Sequence, residues 1–423
     1  MLWSIAWRNL WRNKKRSGTI LAAIAFGLWA GLFSGAIMEG YKEQMVNDAV
    51  YDRTAHLQIH RKGFLEHKQV GATLSQAETV RTVIDTTEGV AQHVERAIVP
   101  GMAQSAATGT RVLLYGICPE AERRMQKIDE QIVAGEYFAT DQRNQCVVGR
   151  KLAETLSLEL GHKIVVQAQA LDGSLTGGAF RITGIFRTVM SEFDNSTVFA
   201  RREDVDRIFA LDGHIHSIRV LANEFDDIER VKARIEQNLS RIGTDTDTAG
   251  SGEDWLGSEI SVLTWAEVEP QMGYMQATSS FFSMIFLVII LLALVFGITN
   301  TMLMAVMERI REIGVMAALG MHHGRIFAMI MIETIVLAML GGSVGIVLGI
   351  VTTILFAHVG IDLSIVSAGL ESAGMSAVIH PEFAPELYPI TVLLVLITAV
   401  VSAIYPGVKA ARLSPVEAMR TYG

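Results

Sequence analysis

The sequence contains no Gly-Lys dipeptide, and this absence excludes a phosphate-binding loop of the GxxxxGKS or GxxxxGKT type. Cysteine is almost as scarce, because Cys118 and Cys146 are the only two in 423 residues and their spacing fits no metal-binding motif. A disulfide between them and two unpaired thiols are both open alternatives. We expect two unpaired, buried thiols in an aqueous domain, since free cysteine packs as a small apolar residue.

Three further motifs are absent or incomplete. No HExxH zinc motif occurs. Asp245 and Asp247 resemble the start of a calcium loop, but Ala249 and Leu256 occupy later ligand positions and the ligand set fails. The run GGSVG at 341–345 fits a serine-nucleophile pattern, yet it lies in an apolar stretch where a strand-to-helix turn is required. We therefore predict no catalytic residue and no metal or cofactor site in this chain, which is not an enzyme on its own.

The composition indicates a protein that is partly in a membrane and partly in water. Half of the residues are hydrophobic and 19% are charged, and the mean hydropathy is +0.33. A soluble protein is less apolar and a wholly embedded one less charged. The net charge of −8 is diffuse, and Lys and Arg cluster only near the apolar runs, so we expect no nucleic-acid partner.

Four apolar segments are long enough to cross a bilayer, which takes about 20 residues. They are predicted at 19–40, 281–307, 326–358 and 389–408. The first follows a basic stretch, as a signal peptide does. Its apolar run exceeds the ~7–15 residues of a signal peptide and no clear cleavage site follows, so we interpret it as an uncleaved anchor.

Basic residues set the orientation. They precede the first span and follow the second and fourth, whereas the loop 359–388 has no Lys or Arg. The positive-inside rule places both termini and the segment 308–325 in the cytoplasm. Trp3, Trp7 and Trp11 share one helical face, which predicts an interfacial helix. On the cytoplasmic side, the predicted segments are an interfacial helix at 1–18, a helix at 308–325 and a tail at 409–423. On the other side, the four spans are joined by an α+β domain with stalk helices at 41–280 and by a short loop at 359–388.

The large region between the first two spans mixes strand and helix patterns. Alternating apolar residues predict strands at 56–60, 111–117, 162–170, 180–188 and 216–222. A helix is predicted after the last strand, followed by a polar, Gly-rich loop at 243–255. The order of these elements favours two α+β subdomains, one inserted in the other.

The segment 308–325, ERIREIGVMAALGMHHGR, interrupts the apolar runs. Burying its arginines in lipid costs about 2.5–3.5 kcal/mol each, so the chain leaves the bilayer here. A simple charged turn explains the charges. It leaves unexplained the apolar residues Val315, Met316, Leu319 and Met321, and such a helix needs a partner surface.

This segment resembles the FtsX/MacB-type permeases of ABC transporters. The resemblance rests on 308–320 (ERIREIGVMAALG) with Ile326 and Glu333 beyond it, on the tail PGVKAARLSPVEAMR at 406–420 and on AWRNLWRN at 6–13. In the outer domain, GICP at 116–119, the run 147–161 and FRITGIFRT at 180–188 are similar to the periplasmic core of MacB and LolC/LolE.

The resemblance implies a fold and partners. The fold is an α-helical membrane protein with four transmembrane helices and a large α+β extracytoplasmic domain, in which a porter-like subdomain carries an inserted, mainly β subdomain. It implies a coupling helix that docks on a separate cytoplasmic ATPase, which holds ATP and magnesium, because the ATPase domain fused to MacB is not found in this sequence. A second permease copy or paralogue, as a homodimer or heterodimer, is also implied. The expected coupling residues are Glu308, Arg309, Arg311, Glu312, Ile313, Gly314, Met316, Leu319 and Gly320.

Two features of the third span suggest helix packing. Gly341, Gly345 and Gly349 form a small-residue face, suited equally to packing within the chain and to a dimer seam. Glu333 is isolated among apolar residues, and we expect it to hydrogen-bond between helices and not to relay protons.

The resemblance, together with these features, implies a permease subunit in the bacterial inner membrane that transmits motion from ATP hydrolysis to a periplasmic domain. The cargo would be lipoproteins, lipids or other amphiphiles, with a periplasmic adaptor or carrier as a further partner. The alternative is an FtsX-like transmitter that activates a cell-wall hydrolase. A secondary transporter is disfavoured, because internal repeats and midplane charges are missing.

Overall fold

The computed structural model describes residues 14–74, 76–105, 108–138, 142–246, 259–363, 378–383, 385 and 387–412. Most of the predicted interfacial helix at 1–18, most of the tail at 409–423 and most of the polar loop at 243–255 lie outside the described residues. The helices are α1 Lys14–Ala49, α2 Phe64–His67, α3 Ala77–Thr86, α4 Pro119–Met125, α5 Arg150–Leu156, α6 Ser191–Ser196, α7 Arg202–Phe209, α8 Ile228–Thr246, α9 Trp265–Val268, α10 Pro270–Glu308, α11 Ile310–Ala318, α12 His323–Val359 and α13 Leu387–Ala411.

Twelve strands accompany these helices in the described part of the chain. They are β1 Leu57–Arg61, β2 Val90–Gln104, β3 Gly109–Ile117, β4 Ile132–Gly135, β5 Gln145–Gly149, β6 Lys163–Gln169, β7 Leu175–Phe186, β8 Thr197–Arg201, β9 Ser217–Ala222, β10 Ile260–Thr264, β11 Ile361–Asp362 and β12 Val378–Ile379.

The chain divides into two compact units. One contains the described residues within 14–44, 277–363 and 378–412, and the other contains those within 45–276. The divisions at 44/45 and 276/277 fall inside α1 and α10, so each of these helices contributes residues to both units. We call the first the helical unit and the second the head unit.

The helical unit contains four helices that are long and apolar enough to cross a membrane. These segments are Ser17–Asp48, Met284–Glu308, His323–Val359 and Tyr388–Ala411. Each predicted span lies within one of the helices α1, α10, α12 and α13. Every backbone amide of a lipid-exposed segment must find a partner inside the segment, which is why continuous helices are the solution here.

The glycine stripe of α12 lies against α1. A Cβ on Gly345 would lie 2.7 Å from the carbonyl oxygen of Ala25, and one on Gly341 would lie 3.0 Å from the Ile24 Cβ. Gly349 similarly approaches Leu32. Of the two alternatives for this stripe, the structure shows packing within the chain.

The head unit is built on one sheet of ten strands, in the order β10-β1-β9-β2-β3-β8-β5-β7-β4, with β6 paired to β2 and β7. One half of β2 extends the antiparallel sheet of β10, β1 and β9. Its other half pairs with β3 and β6. Because β3, β8, β5, β7 and β6 continue from β2 and return to it, these six strands close into a ring.

The two parts of this sheet have separate apolar cores. Helices α3 and α8 cover the antiparallel sheet with Val80, Ile84, Val231 and Ile235. The ring encloses its own core, built from residues such as Phe180 and Val166. Strand β6 alternates strictly between exposed and buried residues, as expected for a strand with one face on a core. The predicted fold class, with an inserted, mainly β subdomain, is therefore confirmed.

Some local predictions are wrong. Helix α8 continues to Thr246, past the start of the polar loop predicted at 243–255. Both cysteines are free and Cys146 is buried, but Cys118 is exposed. Cys118 is the residue before α4, and its side chain is exposed although its neighbours Ile117 and Pro119 are buried.

Glycine at position 345 is required for the approach of α1 to α12. Replacement Gly345→Leu should destabilise the helical unit by about 1–3 kcal/mol, because the new side chain overlaps the α1 backbone. Thermal unfolding of the full chain in detergent measures this loss. Gly18→Leu is the matched control, since a Cβ there has no atom within 4 Å. Equal melting temperatures for the two variants would contradict this packing.

Candidate coupling site

The predicted coupling helix at 308–325 is not one continuous helix. Helix α10 ends at Glu308, and Arg309 leaves helical geometry with φ −109° and ψ 18°. Helix α11 then runs to Ala318, and Gly320 reverses the chain with φ +88°, a conformation that glycine adopts without strain. His322 caps α12 by accepting a hydrogen bond at its Nδ1 from the Gly324 amide, at 3.1 Å. The segment is thus a short helix between two sharp turns.

Burial separates the predicted coupling residues into two groups. Ile313 and Gly314 are buried, and Met316 is half-buried in the same apolar cluster as the helical unit. The residues that are exposed are Glu308, Arg311, Glu312, Leu319 and Gly320. Helix α11 therefore has one face on its own bundle and one face in solvent.

Four apolar residues of this segment were predicted to form a partner surface, and for two of them the prediction is wrong. Met316 and Met321 pack against the apolar cluster of the helical unit, next to Ile326 and Ile330. Val315 and Leu319 do not share this burial, and Leu319 is 84% exposed. The apolar part of the solvent face is therefore smaller than the sequence suggests and is centred on Leu319.

An ion pair holds the start of α11 against α12. Arg309 donates from Nη1 to both carboxylate oxygens of Glu333, at 3.2 and 3.1 Å. Its Nε also donates to Glu312 at 3.2 Å. The Glu333 side chain is buried and the Arg309 side chain is largely so. Charged hydrogen bonds of this kind fix geometry strongly when water is excluded, so Arg309 is held at the turn between α10 and α11.

Glu333 thus has the interhelical role expected for it, but the sequence did not identify its partner. The expected coupling residue Arg309 is in large part internal and pairs with α12. The sequence did contain a clue to this pair. An isolated carboxylate within an apolar span requires a cation, and Arg309 stands at the end of the preceding span.

The other end of the segment is also tied to the bundle. The Met321 amide donates to the carbonyl of Met316 at 3.0 Å and closes the turn after α11. The ring Nδ1 of His323 contacts the carbonyl oxygen of Ala411 at the end of α13. With both ends held, the segment presents Leu319 and the charges around it in a fixed position on the helical unit.

The sequence matches two family profiles that together cover most of the chain. Residues 17–238 match the MacB-like periplasmic core domain, and residues 284–415 match the FtsX-like permease C-terminal domain. The first alone covers more than half of the chain. The chain belongs to the MacB/FtsX-like family of ABC transporter permeases. In this permease the segment 308–325 lies within the FtsX-like part.

Several named proteins are similar to this permease. An ABC transporter permease of Methanocaldococcus jannaschii is 25% identical over 68% of this chain and 65% of its own length. The lipoprotein-releasing system transmembrane protein LolC of Xylella fastidiosa is 20% identical over 95% of this chain and 92% of its own. The periplasmic region of MacB from Actinobacillus actinomycetemcomitans is 12% identical, with TM-score 0.35, over 54% of this chain and 98% of that structure.

The pair Arg309–Glu333 should be energetically coupled. We expect Arg309→Met and Glu333→Met each to destabilise the permease by about 2 kcal/mol, below the ~3–5 kcal/mol of a fully buried pair, because Arg309 retains Glu312. The double variant should lose less than the sum, with a coupling energy of about 1–3 kcal/mol. Unfolding of the four proteins in detergent gives this value.

The exposed pair Arg150–Glu154, at 3.0 Å, supplies the control cycle. Both of its side chains are about half exposed, so the effects of its two substitutions should be close to additive. Additive effects at Arg309 and Glu333, like those of the control, would show that the buried pair does not hold the segment.

Proposed function

We propose that this permease is the membrane subunit of an ABC transporter of the mechanotransmission type. A separate cytoplasmic ATPase, which binds ATP and magnesium, docks on the solvent face of 308–325. Its movement is passed to the head unit, which extracts or exports lipoproteins, lipids or other amphiphiles. The observation that carries the proposal is Leu319, a large apolar side chain that is 84% exposed on a segment anchored at both ends.

The surroundings of Leu319 fit a docking surface. Val315 lies one helical turn earlier and is also exposed, and the charged residues Arg311 and Glu312 border the two apolar residues. Interfaces commonly place an apolar anchor inside a polar rim. The anchors of 308–325 keep this surface ordered, which lowers the entropy lost on binding.

A mechanical route to the head unit is provided by the two helices that belong to both units. Helix α10 ends at Glu308, immediately before the docking segment, and begins at Pro270 in the head unit. Helix α1 makes the second connection, at Gln44. A displacement of 308–325 would act directly on the end of α10, and an uninterrupted helix transmits displacement along its axis.

The orientation belongs to the same proposal. The basic residues around 308–325 and the acidic loop at 359–388 support an orientation in a bacterial inner membrane with both termini and the docking surface in the cytoplasm. The head unit would then lie in the periplasm, where it meets its cargo and an adaptor or carrier. The LolC relative is named for a lipoprotein-releasing system, and an amphiphilic cargo of that class is our proposal for this chain.

A second permease copy would pack along α10. Only 11% of the most apolar stretch of α10 is buried, whereas 33–44% of the corresponding stretch is buried in the other three spans. Within the chain, Leu294 meets Gly27 and Ile290 approaches Gly31 of α1, and Thr299 donates to the Ser402 carbonyl of α13 at 3.1 Å. The side of α10 away from Leu294 carries Ile289, Leu292 and Phe296, all exposed. We propose this side as the seam between copies.

The docking role predicts a selective effect of Leu319→Arg. We expect the variant to fold and insert normally, because the side chain is exposed, and to bind the ATPase about 30-fold more weakly, as for loss of an interface hot spot of about 2 kcal/mol. The measurement is recovery and stimulated ATP hydrolysis of the ATPase that copurifies with the tagged wild-type chain.

Leu175→Arg is the matched control, because Leu175 is 81% exposed in the head unit. It should leave ATPase recovery unchanged. If Leu319→Arg retains wild-type recovery and stimulation, 308–325 is only a turn between spans.

The seam predicts cysteine crosslinking along α10. In a Cys118→Ser background, Phe296→Cys should give a disulfide-linked dimer in membranes, because two copies of the exposed face would meet there. Buried Cys146 remains as an unreactive thiol. Met339→Cys, exposed on α12, is the control and should remain monomeric. A dimer from the α12 position, with none from α10, would place the seam elsewhere.

A further inference from the structure

The head unit contains a cavity of about 300 Å³. Its polar lining includes Arg53, Gln58, His60, Lys68, Tyr115 and Arg219. It lies where the antiparallel sheet meets the ring of strands, because Arg219 belongs to β9 and Tyr115 to β3. The coupling role proposed above makes no use of this cavity, and the inference that follows does not depend on that role.

Arg219 is the unusual member of this lining. It lies in β9, between β1 and β2, opposite Gln58 and Val94. Its side chain is only 4% exposed, and its Nε and Nη1 have no hydrogen-bond partner among the described residues. Buried guanidinium groups in proteins are ordinarily paired, because an unpaired buried charge is strongly destabilising.

Glu122, a buried carboxylate whose charge acts on Arg219, is already engaged by another arginine. Glu122 accepts from the fully buried Arg96, with Nε to Oε2 at 3.2 Å and a second contact from Nη2. Gln126 adds an acceptor to the same guanidinium, which also lies over the Tyr115 ring at 5.3 Å. Arg96 and Glu122 therefore form a balanced pair, and Arg219 has no comparable partner.

The charges that line the cavity leave a positive excess. Its cations are Arg53, Lys68 and Arg219, and its carboxylates are Glu192 and Glu269. Glu269 pairs with Arg53, from Nη1 to Oε1 at 3.3 Å, and Glu192 is exposed. The buried end of the cavity thus lacks one negative charge. Burial, with repulsion from Arg96, lowers the pKa of Arg219 to about 9, which shows that its charged form is destabilised in this environment.

The remaining wall of the cavity is apolar. Phe64, Leu65, Ile98, Leu113 and Phe193 contribute to it, and Phe64 stacks on the His60 ring at 5.3 Å. Water and a free ion satisfy only the polar half of such a cavity. An apolar segment of a few carbons would occupy the other half and remove this surface from water.

We propose that this cavity binds a singly charged oxyanion group, such as a phosphodiester, attached to a short apolar segment. Arg219 pairs with the oxyanion from inside the cavity, since a guanidinium matches the geometry of two adjacent oxygens. Lys68, at the exposed side, adds attraction at the entrance. The apolar segment lies against the phenylalanine and leucine side chains.

The test uses the full permease in detergent with three probes. Dihexanoylphosphatidylglycerol carries the anion and the apolar segment, dihexanoylglycerol has the same chains without the phosphodiester, and inorganic phosphate is the anion alone. Isothermal titration calorimetry measures each Kd, and thermal unfolding measures the ligand-free melting temperature. We expect the phosphatidylglycerol probe to bind most tightly.

Arg219→Met gives the decisive variant. It should weaken binding of the phosphatidylglycerol probe by about tenfold to a hundredfold and raise the melting temperature of the ligand-free protein, because it removes an unpaired buried charge. A merely structural arginine would give a lower melting temperature. Unchanged binding in Arg219→Met overturns the proposal.

Lys68→Gln tests the proposal without touching the interior. The side chain is exposed, so folding should be unaffected and affinity should fall about two- to fivefold. Lys62→Gln, an exposed lysine that does not line the cavity, is the control and should bind as the wild type. Equal affinity for the two lipid probes would overturn the role of charge, and equal affinity for inorganic phosphate would overturn the role of the apolar segment. Failure of ATPase docking would leave these results unchanged.

Discussion

The ion pair between Arg309 and Glu333 is the contact on which the arrangement of the helical unit depends. Two opposite charges are held out of water where the second span ends and the third begins. Separation of either partner would leave the other charge uncompensated in apolar surroundings. The chain can therefore turn sharply at Arg309, start a new helix and remain fixed in position. The exposed face of that helix follows as a consequence, since its opposite face is held on the bundle by Ile313 and Met316.

Close packing of α1 on α12 complements this electrostatic anchor. The glycines of α12 permit backbone approach, and the side chains of α1 fill the space that a larger residue would take. Without a hydrophobic driving force between helices in lipid, such contacts and a few hydrogen bonds supply the association energy. The bond from Trp29 Nε1 to Thr352 Oγ1, at 3.1 Å, is one of them on the same helix pair. Helix α10 takes little part in this packing, which leaves it as the helix most available to a second copy.

Sequence periodicity and charge were sufficient for the four apolar helices and for an α+β outer domain, because these depend on local composition, whereas the mainly β character of the inserted subdomain was implied by the family resemblance. Contacts between residues that are distant in the sequence were harder to predict. Strand β2 was not predicted. Its two halves pair with strands in different parts of the ten-stranded sheet, and its buried and exposed residues do not alternate regularly. The internal roles of Met316 and Met321 depend on the turn at Arg309, which is a tertiary feature. An arginine in the apolar strand β9 was visible in the sequence, but only the closure of the ring shows that it lines a cavity and lacks a partner.

The most direct test of the account is photocrosslinking from Leu319 in living cells. A photoreactive amino acid at this position should capture one abundant partner, identified by mass spectrometry as an ABC-type ATPase that carries its own phosphate-binding loop. The same amino acid at Leu175 should not capture that ATPase. Crosslinks from Leu319 that join only this chain to itself or to lipid, under conditions in which the permease is active, would contradict docking of an ATPase on 308–325.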